Sequence, residues 1–295
     1  MSGVVVGLDV GGTKTAVIVE SVDGERLLET TLSSEGWDAE PIEHGARWIA
    51  ARVASVVEGH EVLGVGLGAQ GLDTPEISTQ FADALAALGY RTIAVNDAAL
   101  LVPAAGHSAG IGLISGTGAI GVAEDAQGTP LITGGWGWVI GDEAGAAGIV
   151  REATRAALLA HDDGLADDGL LGALLSAFDV RDAERLARAV NDLPTMDNWG
   201  PRAPAVFQAA DAGSALAISV IEAAADHLAR LVDQLVARGA VGSAVVAAGS
   251  VIVGQPRLFD ALAARVRQRH PSLTTDLLRH NPVEGALVLA RRALP

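Results

Sequence analysis

The sequence contains no cysteine among its 295 residues. Disulfide bonds, thiolate zinc sites and cysteine-ligated iron–sulfur clusters are therefore excluded. Aromatic residues make up only 3% of the chain although 49% of it is hydrophobic, so the core must consist mainly of aliphatic side chains. Such a composition favours helices packed on a buried sheet over an aromatic-rich β-sandwich.

Positive charge is also scarce: 20 lysine and arginine residues stand against 36 acidic ones, which gives a formal net charge of −16. This balance disfavours nucleic acids and anionic membranes as partners. An anionic ligand has to be held by backbone N–H groups, a helix terminus or a metal ion. The first residues lack the basic region of a signal peptide, and no uninterrupted apolar run has membrane-spanning length. The sequence thus predicts a cytoplasmic protein without a membrane partner.

The first hundred residues alternate between β-branched runs and helical spacing. Two β-branched runs flank a turn at Gly11 and Gly12, which is typical of a hairpin. Apolar residues recur at helical spacing between residues 40 and 58. The predicted elements are strands at 4–10, 15–20, 26–32, 62–68 and 92–96, and helices at 40–58 and 78–89. This order of strands and helices predicts an α/β domain.

The pattern restarts near residue 111 with a second glycine turn between two β runs, Gly116-Thr117-Gly118. The predicted elements of this part are strands at 111–115, 120–124, 131–133 and 245–248, and helices within 149–188, 212–238, 256–268 and 283–293. Two parts that each begin with a glycine-turned hairpin indicate an internal duplication.

The first glycine turn has the chemistry of a phosphate site. Gly11 and Gly12 let a phosphate chain approach the backbone, because neither carries a side chain. Backbone N–H groups and the hydroxyls of Thr13 and Thr15 can then donate to phosphate oxygens. Lys14, the only lysine of the chain, lies in the same turn. The alternative is an ordinary tight hairpin with an exposed lysine.

The second turn repeats this chemistry, with Gly116 and Gly118 on either side of Thr117. A single GTG triplet is common in turns, but two such hairpins at the heads of two similar parts are more specific. They can enclose one triphosphate from opposite sides. Gly249 and Ser250 follow a predicted buried strand and precede a helix. Ligands often lie against such strand ends in α/β sheets, so we expect a nucleoside there.

Two aspartates stand at the ends of predicted strands. Asp9 lies next to the first turn, where its carboxylate can hold Mg²⁺ directly or through water. Asp97 follows the strand at 92–96, where it can act as a general base that accepts the proton of an attacking hydroxyl. The alternative for Asp97 is an N-cap of the helical residues that follow.

Residues 134–143, GGWGWVIGDE, place two of the five tryptophans among glycines. Flat indole faces and short carboxylates suit the C–H groups and hydroxyls of a sugar. We therefore expect this segment to contact a sugar. The alternatives are a loop that buries its own tryptophans and, for Asp142, a cap on a helix that starts near Ala144.

Together, GLDVGGTKT, VND, ISGTG, GGWGWVIGDEAG and VVAAGS resemble the motifs of the actin/hexokinase/heat-shock ATPase superfamily. Within it, the chain is most similar to the BadF/BadG/BcrA/BcrD-type group that contains N-acetylglucosamine kinase. The resemblance spans nearly the whole chain and implies an α/β fold with two ribonuclease-H-like lobes and a cleft between them. It implies an N-terminal lobe over 1–105, a C-terminal lobe over 106–295, and a last helix near 283–293 that returns to the first lobe.

The resemblance also implies an ATP-dependent sugar kinase that uses Mg²⁺, held by Asp9, and phosphorylates the 6-hydroxyl of N-acetylglucosamine. Asp97 is then the catalytic base. The implied ATP-binding residues are Gly11, Gly12, Thr13, Lys14, Thr15, Gly116, Thr117, Gly118, Gly249 and Ser250. The implied sugar-binding residues are Glu35, Asp97, Thr117, Gly135, Trp136 and Asp142.

One position departs from the pattern of this group. After the third strand the group often carries an asparagine that reaches the sugar, and Glu35 stands at that place here. A carboxylate cannot donate a hydrogen bond, but it can pair with a free ammonium. Glucosamine is therefore the alternative substrate.

Other functions of the superfamily fit less well. An ATPase that activates a dehydratase needs cysteines for its iron–sulfur cluster, and repressor-type sugar kinases carry a cysteine-rich zinc motif; this chain has no cysteine. A non-catalytic sensor that binds ATP and sugar is the remaining alternative. A homodimer is compatible with the sequence.

Overall fold

The computed structural model describes residues 3–294 of the chain. The strands are β1 (Gly3–Val10), β2 (Lys14–Ser21), β3 (Arg26–Ser33), β4 (Glu61–Ala69), β5 (Thr92–Asn96), β6 (Ile111–Ser115), β7 (Ala119–Glu124), β8 (Pro130–Gly134), β9 (Ala244–Ala248) and β10 (Thr274–Leu277). The helices are α1 (Ile42–Val56), α2 (Pro75–Ala87), α3 (Leu101–Ala104), α4 (Ala146–Asp162), α5 (Leu170–Ala177), α6 (Ala183–Asp192), α7 (Met196–Trp199), α8 (Ala203–Asp211), α9 (Ala215–Ala237), α10 (Ser250–Gly254), α11 (Pro256–Arg269) and α12 (Val283–Arg292). Two short 3₁₀ helices span Asp97–Leu100 and Gly200–Arg202.

The strands form two five-stranded sheets with the same connectivity. The first has the order β3-β2-β1-β4-β5, and the second, read from its other edge, has the order β8-β7-β6-β9-β10. In each sheet the first three strands form an antiparallel meander, and the last two run parallel to the first strand. This repeated topology agrees with the internal duplication that the two glycine hairpins indicate.

The strand register brings the expected site residues to one edge of each sheet. In the first sheet Val10 is paired with Ala69, and Ala69 is paired with Asn96. The carboxyl ends of β1, β4 and β5 are therefore level, with Asp9 and Asp97 two strands apart. In the second sheet Ile114 is paired with Ala248, so the turn after β6 and the turn after β9 are also neighbours.

The last helix, α12, packs on the first sheet across β1 and β4. Glycines allow this close approach: a Cβ at Gly7 would lie 2.7 Å from the Leu287 nitrogen, and one at Gly66 would lie 1.8 Å from the Ala286 carbonyl oxygen. The buried face of the helix thus reaches the backbone of the sheet.

Ion pairs hold α12 to the antiparallel edge of the first sheet. Glu20, which is buried on β2, accepts hydrogen bonds from Arg291 of α12 at 2.6 Å and from Arg26 of β3 at 3.0 Å. Arg26 also donates two hydrogen bonds of 3.0 Å to Glu284 at the start of α12. The paired Glu20 carboxylate has partners on both sides, which offsets the cost of its burial.

The second sheet is covered by helices around α9. One face of α9 is buried along its whole length, with Val220, Leu228 and Leu235 among the buried residues. Within residues 3–294, no single helix combines the length and apolar character needed to cross a membrane. One sharply bent pair, Met196–Asp211 with Ala215–Ala237, meets that test only when the two are taken together.

Most predicted elements are confirmed within a few residues, and the differences have physical causes. α2 begins at Pro75 rather than at 78, because Thr74 caps it by accepting a hydrogen bond from the Ile77 N–H. The sequence does not predict β10, because three of its four residues, TTD, are polar and the strand is partly exposed at a sheet edge. Nor does it predict α7 and α8, which lie in a segment with two prolines.

Candidate active site

The turn between β1 and β2 exposes its backbone. The Gly11 N–H donates to the Lys14 carbonyl oxygen at 3.0 Å, which closes the turn. Gly12, Thr13 and Lys14 are all exposed. This geometry leaves room for a phosphate group beside the backbone of the turn.

Thr15 lies differently from its neighbours in the turn. Its side chain is fully buried, and its hydroxyl oxygen lies 2.8 Å from the hydroxyl oxygen of Ser34. Ser34 also donates its backbone N–H to the Thr13 carbonyl oxygen. Thr15 therefore joins the first turn to the segment after β3, and its phosphate contact stays a prediction.

Asp9 and Asp97 form an uncompensated acidic pair at the carboxyl edge of the first sheet. Burial, and then the negative charge of Asp97, raises the pKa of Asp9 to about 7. Burial likewise raises the pKa of Asp97 to about 6, opposed by the hydrogen bond from the Ala98 N–H and assisted by the charge of Asp73. Each raised pKa reflects the burial of a carboxylate that has no positively charged partner within residues 3–294.

The cap of the 3₁₀ helix after β5 is Asn96 rather than Asp97. The Asn96 side-chain oxygen accepts a hydrogen bond from the Ala98 N–H at 2.9 Å, and the Asn96 amide donates to Asp73 at 2.8 Å. An Asp97 oxygen shares the same Ala98 N–H. Sequence reasoning missed Asn96 and Asp73; the only signal was that Asn96 ends β5 and Asp73 lies four residues after β4, at the carboxyl edge of two neighbouring parallel strands.

The second glycine turn is tied to the start of α4. The Gly116 N–H donates to the Gly118 carbonyl oxygen at 3.0 Å, and the Gly116 carbonyl oxygen accepts from the Ala146 N–H at 2.8 Å. The Ser115 hydroxyl, which is buried, donates to the Ala144 carbonyl oxygen at 2.7 Å. The turn is thus held from behind by backbone and side-chain hydrogen bonds.

Gly249 brings the turn after β9 against this second turn. Its φ of +107° lies in the region that favours glycine, and a Cβ there would lie 2.4 Å from the Ser115 carbonyl oxygen. A Cβ at Gly116 would lie 3.5 Å from the Ser250 nitrogen. The structure therefore brings together the two predicted sites for phosphate and nucleoside.

Asp142 lies against the tip of the second turn. It is buried with a φ of +54°, and one of its carboxylate oxygens lies 2.6 Å from where a Cβ of Gly118 would be. Burial raises the pKa of Asp142, opposed first by the hydrogen bond from the Ala119 N–H and assisted by the negative charge of Glu143. Its other carboxylate oxygen has no hydrogen-bond partner within residues 3–294. Gly145 rather than Asp142 occupies the N-cap of α4.

The glycine-rich segment before Asp142 separates its two tryptophans. Trp138 is partly buried and packs edge-on against Trp199, with ring centroids 4.8 Å apart. Arg151 donates to the carbonyl oxygens of Trp138 and Gly141, which fixes the segment from behind. Trp136, by contrast, is 75% exposed. The alternative of a loop that buries its own tryptophans therefore holds for Trp138. It does not hold for Trp136, whose indole face is open.

A close contact between a histidine and a glutamate lies beside Asp142. Nδ1 of His227, on α9, lies 3.2 Å from a carboxylate oxygen of Glu143. Burial lowers the pKa of His227, opposed by the negative charge of Glu143. Glu143 ends the glycine-rich segment 134–143, but His227 does not stand out in the sequence, because a lone histidine on a long helix carries no motif.

Glu35 lies in an exposed turn that aromatic side chains hold in place. Its carbonyl oxygen accepts a hydrogen bond from the Trp48 indole N–H at 3.2 Å. The Arg52 guanidinium stacks on the Trp48 ring, 3.6 Å from the ring centroid. The Trp37 indole N–H donates to the Gln70 carbonyl oxygen, which joins this turn to the segment after β4. Glu35 itself is exposed and forms no ion pair within residues 3–294.

A family model for the BadF/BadG/BcrA/BcrD ATPase family matches residues 6–290. The chain belongs to this family. The N-acetylmuramic acid/N-acetylglucosamine kinase of Clostridium acetobutylicum is 26% identical over 302 residues, which cover 97% of this chain and 98% of that protein. The N-acetyl-D-glucosamine kinase of Dictyostelium discoideum is 24% identical over 309 residues and covers 97% of each chain. The resemblance inferred from the motifs is confirmed.

Solved structures agree with this assignment at the level of the fold. A candidate N-acetylglucosamine kinase from Chromobacterium violaceum aligns with a TM-score of 0.68 and 23% identity, over 97% of this chain and 98% of its own. A ROK-family glucokinase from Streptomyces griseus, solved with glucose and AMPPNP, aligns with a TM-score of 0.56 and 18% identity over 98% of both chains. The expected α/β fold of the actin-like ATPase type is confirmed. The lobe boundaries stay a prediction.

Proposed function

We propose that this chain is an ATP-dependent amino-sugar kinase that transfers the γ-phosphoryl group of ATP to the 6-hydroxyl of N-acetylglucosamine. Family membership and the activities of the two relatives support an amino-sugar kinase. The observation that carries the proposal is Asp97, a carboxylate with a pKa of about 6 at the edge of the first sheet. Such a group is ionised at neutral pH and still basic enough to accept a proton.

ATP binds between the two glycine turns in this proposal. The backbone of Gly11–Thr13, with Lys14, and the backbone of Gly116–Gly118 hold the phosphates, while the buried Thr15 holds the first turn from behind through Ser34. The turn at Gly249–Ser250 lies against the second hairpin, where it can support the nucleoside. A chain with a net charge of −16 offers no general positive field, so local N–H donors are the appropriate way to bind a triphosphate.

Asp9 is the proposed Mg²⁺-holding residue, directly or through water. Its pKa of about 7 reflects burial next to another carboxylate, and a cation would relieve that penalty. Within the described residues no cluster of three or more acidic or histidine side chains could hold a metal ion. That suits Mg²⁺, which is usually bound by one or two carboxylates together with substrate phosphates. When bound, it neutralises charge on the phosphates.

The sugar is proposed to lie between Asp97 and the segment that ends at Asp142. Asp142, a buried residue with one carboxylate oxygen that has no hydrogen-bond partner within residues 3–294, is the proposed acceptor of a hydrogen bond from a sugar hydroxyl. The exposed indole of Trp136 offers an apolar face for the sugar ring. Gly135 and Thr117 border the same space in this proposal.

Asp97 then acts on the 6-hydroxyl. As the oxygen of that hydroxyl attacks the γ-phosphorus, the new O–P bond forms, the bond to the β-phosphate oxygen breaks and ADP leaves. The hydroxyl proton passes to Asp97. The N–H groups of the two turns stabilise the charge on the phosphates during transfer.

A coupled assay of ADP release tests the proposal directly. The panel contains N-acetylglucosamine, glucosamine, N-acetylmuramic acid and glucose, and ³¹P–¹H correlation NMR locates the phosphate on the product. We expect ADP release that depends on N-acetylglucosamine, with the phosphate on the 6-oxygen. ATP binding without sugar-dependent ADP release from any member of the panel would instead establish the sensor alternative.

Glucosamine is the second candidate substrate, and Glu35 is the observation that favours it. Its exposed carboxylate has no ion pair within the described residues and can pair with the ammonium of glucosamine. The neighbouring guanidinium of Arg52 is stacked on Trp48 instead. A neutral acetamido group makes no such pair with a carboxylate.

Glu35→Asn is expected to shift the ratio of the two kcat/KM values toward N-acetylglucosamine by about tenfold. The reason is that asparagine can donate a hydrogen bond and no longer attracts an ammonium, a change worth about 1–2 kcal/mol at an exposed site. The measurement is kcat/KM for both sugars in each variant. Glu25→Asn, an exposed glutamate at the other end of β3, is the matched control. An unchanged ratio would remove Glu35 from the sugar site.

Gly118→Ala is expected to raise the KM for the sugar about tenfold. The added methyl group would lie 2.6 Å from a carboxylate oxygen of Asp142, which is buried and has little room to move. Steady-state kinetics with varied sugar and saturating ATP provide the measurement. The control is Gly200→Ala, where a Cβ meets only an ordinary contact at 3.6 Å. An unaltered KM for the sugar in Gly118→Ala would argue against a sugar contact at Asp142.

A further inference from the structure

Asn96 is a buried side chain with both ends of its amide engaged. It is only 6% exposed. Its oxygen accepts the Ala98 N–H at 2.9 Å, and its nitrogen donates to a carboxylate oxygen of Asp73 at 2.8 Å. Rotation of this amide would break both hydrogen bonds, so the pair fixes the backbone where β5 passes into the 3₁₀ helix.

Asp97 sits inside this hydrogen-bonded arrangement. It lies between Asn96 and Ala98 in the chain, and its own carboxylate shares the Ala98 N–H at 2.9 Å. The direction of the Asp97 side chain is therefore set by the same amide that Asn96 holds. A catalytic base has to be placed within hydrogen-bond reach of the hydroxyl that it deprotonates, so small backbone shifts here matter.

Asp73 does not cap the helix that follows it. The cap of α2 is Thr74, whose hydroxyl oxygen accepts the Ile77 N–H at 3.2 Å. The Asp73 carboxylate is directed instead at Asn96, on a different strand connection 23 residues away. Thr74 therefore caps the helix, whereas Asp73 contacts the site through Asn96.

We infer that Asp73 is a positioning residue for catalysis, acting through the Asn96 amide to hold Asp97 in place for the sugar hydroxyl. The inference rests on the proposed function of Asp97 as the base. Asp73 touches neither substrate in this scheme. Its contribution to the position of Asp97 is the hydrogen bond that it accepts, and asparagine at the same position can still accept that bond; both substitutions remove the negative charge that raises the pKa of Asp97.

The test compares Asp73→Ala, Asp73→Asn and Thr74→Ala in the full chain. We expect Asp73→Ala to lower kcat about tenfold, the effect of losing one hydrogen bond that orients a catalytic group, while the KM for ATP stays within about twofold. Asp73→Asn should recover most of that kcat. Thr74→Ala should lower thermal stability through the lost cap while kcat stays near the wild-type value.

Hydrogen exchange at the Ala98 amide, measured by NMR without substrates, tests independently of turnover whether Asp73 holds Asn96 in place. We expect faster exchange in Asp73→Ala and near wild-type exchange in Asp73→Asn. The inference is overturned if Asp73→Ala keeps wild-type kcat and exchange, or if Thr74→Ala lowers kcat equally. A wild-type chain without sugar-dependent ADP release would contradict the proposed function, and the exchange data would still decide whether Asp73 holds Asn96.

Discussion

Asp97→Asn is expected to lower sugar-dependent ADP release by a factor of about 10²–10⁴ while it makes the folded chain more stable. Activity falls because an amide cannot accept the proton of the sugar hydroxyl. ATP binding should persist, because the substitution leaves the glycine turns unaltered. The assay is the coupled ADP-release measurement with saturating N-acetylglucosamine, together with nucleotide binding by calorimetry.

The gain in stability follows from the sign of the pKa shift. Burial raises the pKa of Asp97 from 3.8 to about 6 in the folded chain. The protonated form therefore stabilises the fold fully below pH 3.8, and this contribution is lost as the pH rises through 6. At pH 8 the neutral asparagine avoids the penalty, so the midpoint of denaturant unfolding should increase by the equivalent of about 2–3 kcal/mol.

Two comparisons make this expectation specific. The stability difference between the variant and the wild type should shrink as the pH falls toward 4, where the wild-type carboxyl is also neutral. In the wild type, kcat/KM should decline as the pH falls below about 6, since the base becomes protonated. A variant that stays active, or one that is less stable at pH 8, would identify Asp97 as a structural carboxylate.

Gly66→Ala is expected to destabilise the chain by about 3 kcal/mol or more, the upper range for forcing a methyl group into a packed interface. A Cβ at Gly66 would lie 1.8 Å from the Ala286 carbonyl oxygen and 2.6 Å from the Ala290 nitrogen. Both atoms belong to the backbone of α12, so no side chain can rotate away. The helix itself would have to leave the sheet.

Thermal unfolding followed by circular dichroism measures this effect. The matched control is Gly254→Ala, at the end of α10, where a Cβ meets nothing within 4 Å. That variant should unfold within a few degrees of the wild type, because alanine is accommodated without strain. Equal unfolding temperatures for Gly66→Ala and the wild type would be incompatible with α12 packed across β4.

The sequence predicts the local elements of this fold well, because their signals are local. The β-branched runs around Gly11 and Gly116 mark both hairpins, and each is confirmed. The edge strand β10 is not predicted, because none of its four residues is fully buried: Thr274 is exposed, and Thr275 to Leu277 are half-buried. Hydrophobic periodicity in a sequence reflects burial, so a strand at the edge of a sheet gives only a weak periodic signal.

The site is less predictable, because its contacts join distant segments. Motifs indicate Asp97 and Asp142, but no spacing rule predicts that Asp73 bonds Asn96 or that His227 pairs with Glu143. These contacts depend on strand register and on helix packing, which are set by the tertiary structure. Trp136 illustrates the same limit: it lies in the same glycine-rich segment as Trp138, yet Trp138 packs against Trp199 while Trp136 is exposed.

The packing of α12 on β1 and β4 also constrains the order in which the chain can fold. Arg291 and its partner Glu20 are 271 positions apart. A ribosome that adds about 5–20 residues per second takes roughly 9 to 37 s to go from Asn96, where the first sheet ends, to Val283, where α12 begins. During that interval the apolar surface around Gly7 and Gly66 lacks its cover. The first sheet is therefore synthesised first but covered last, and its completion depends on the synthesis of α12.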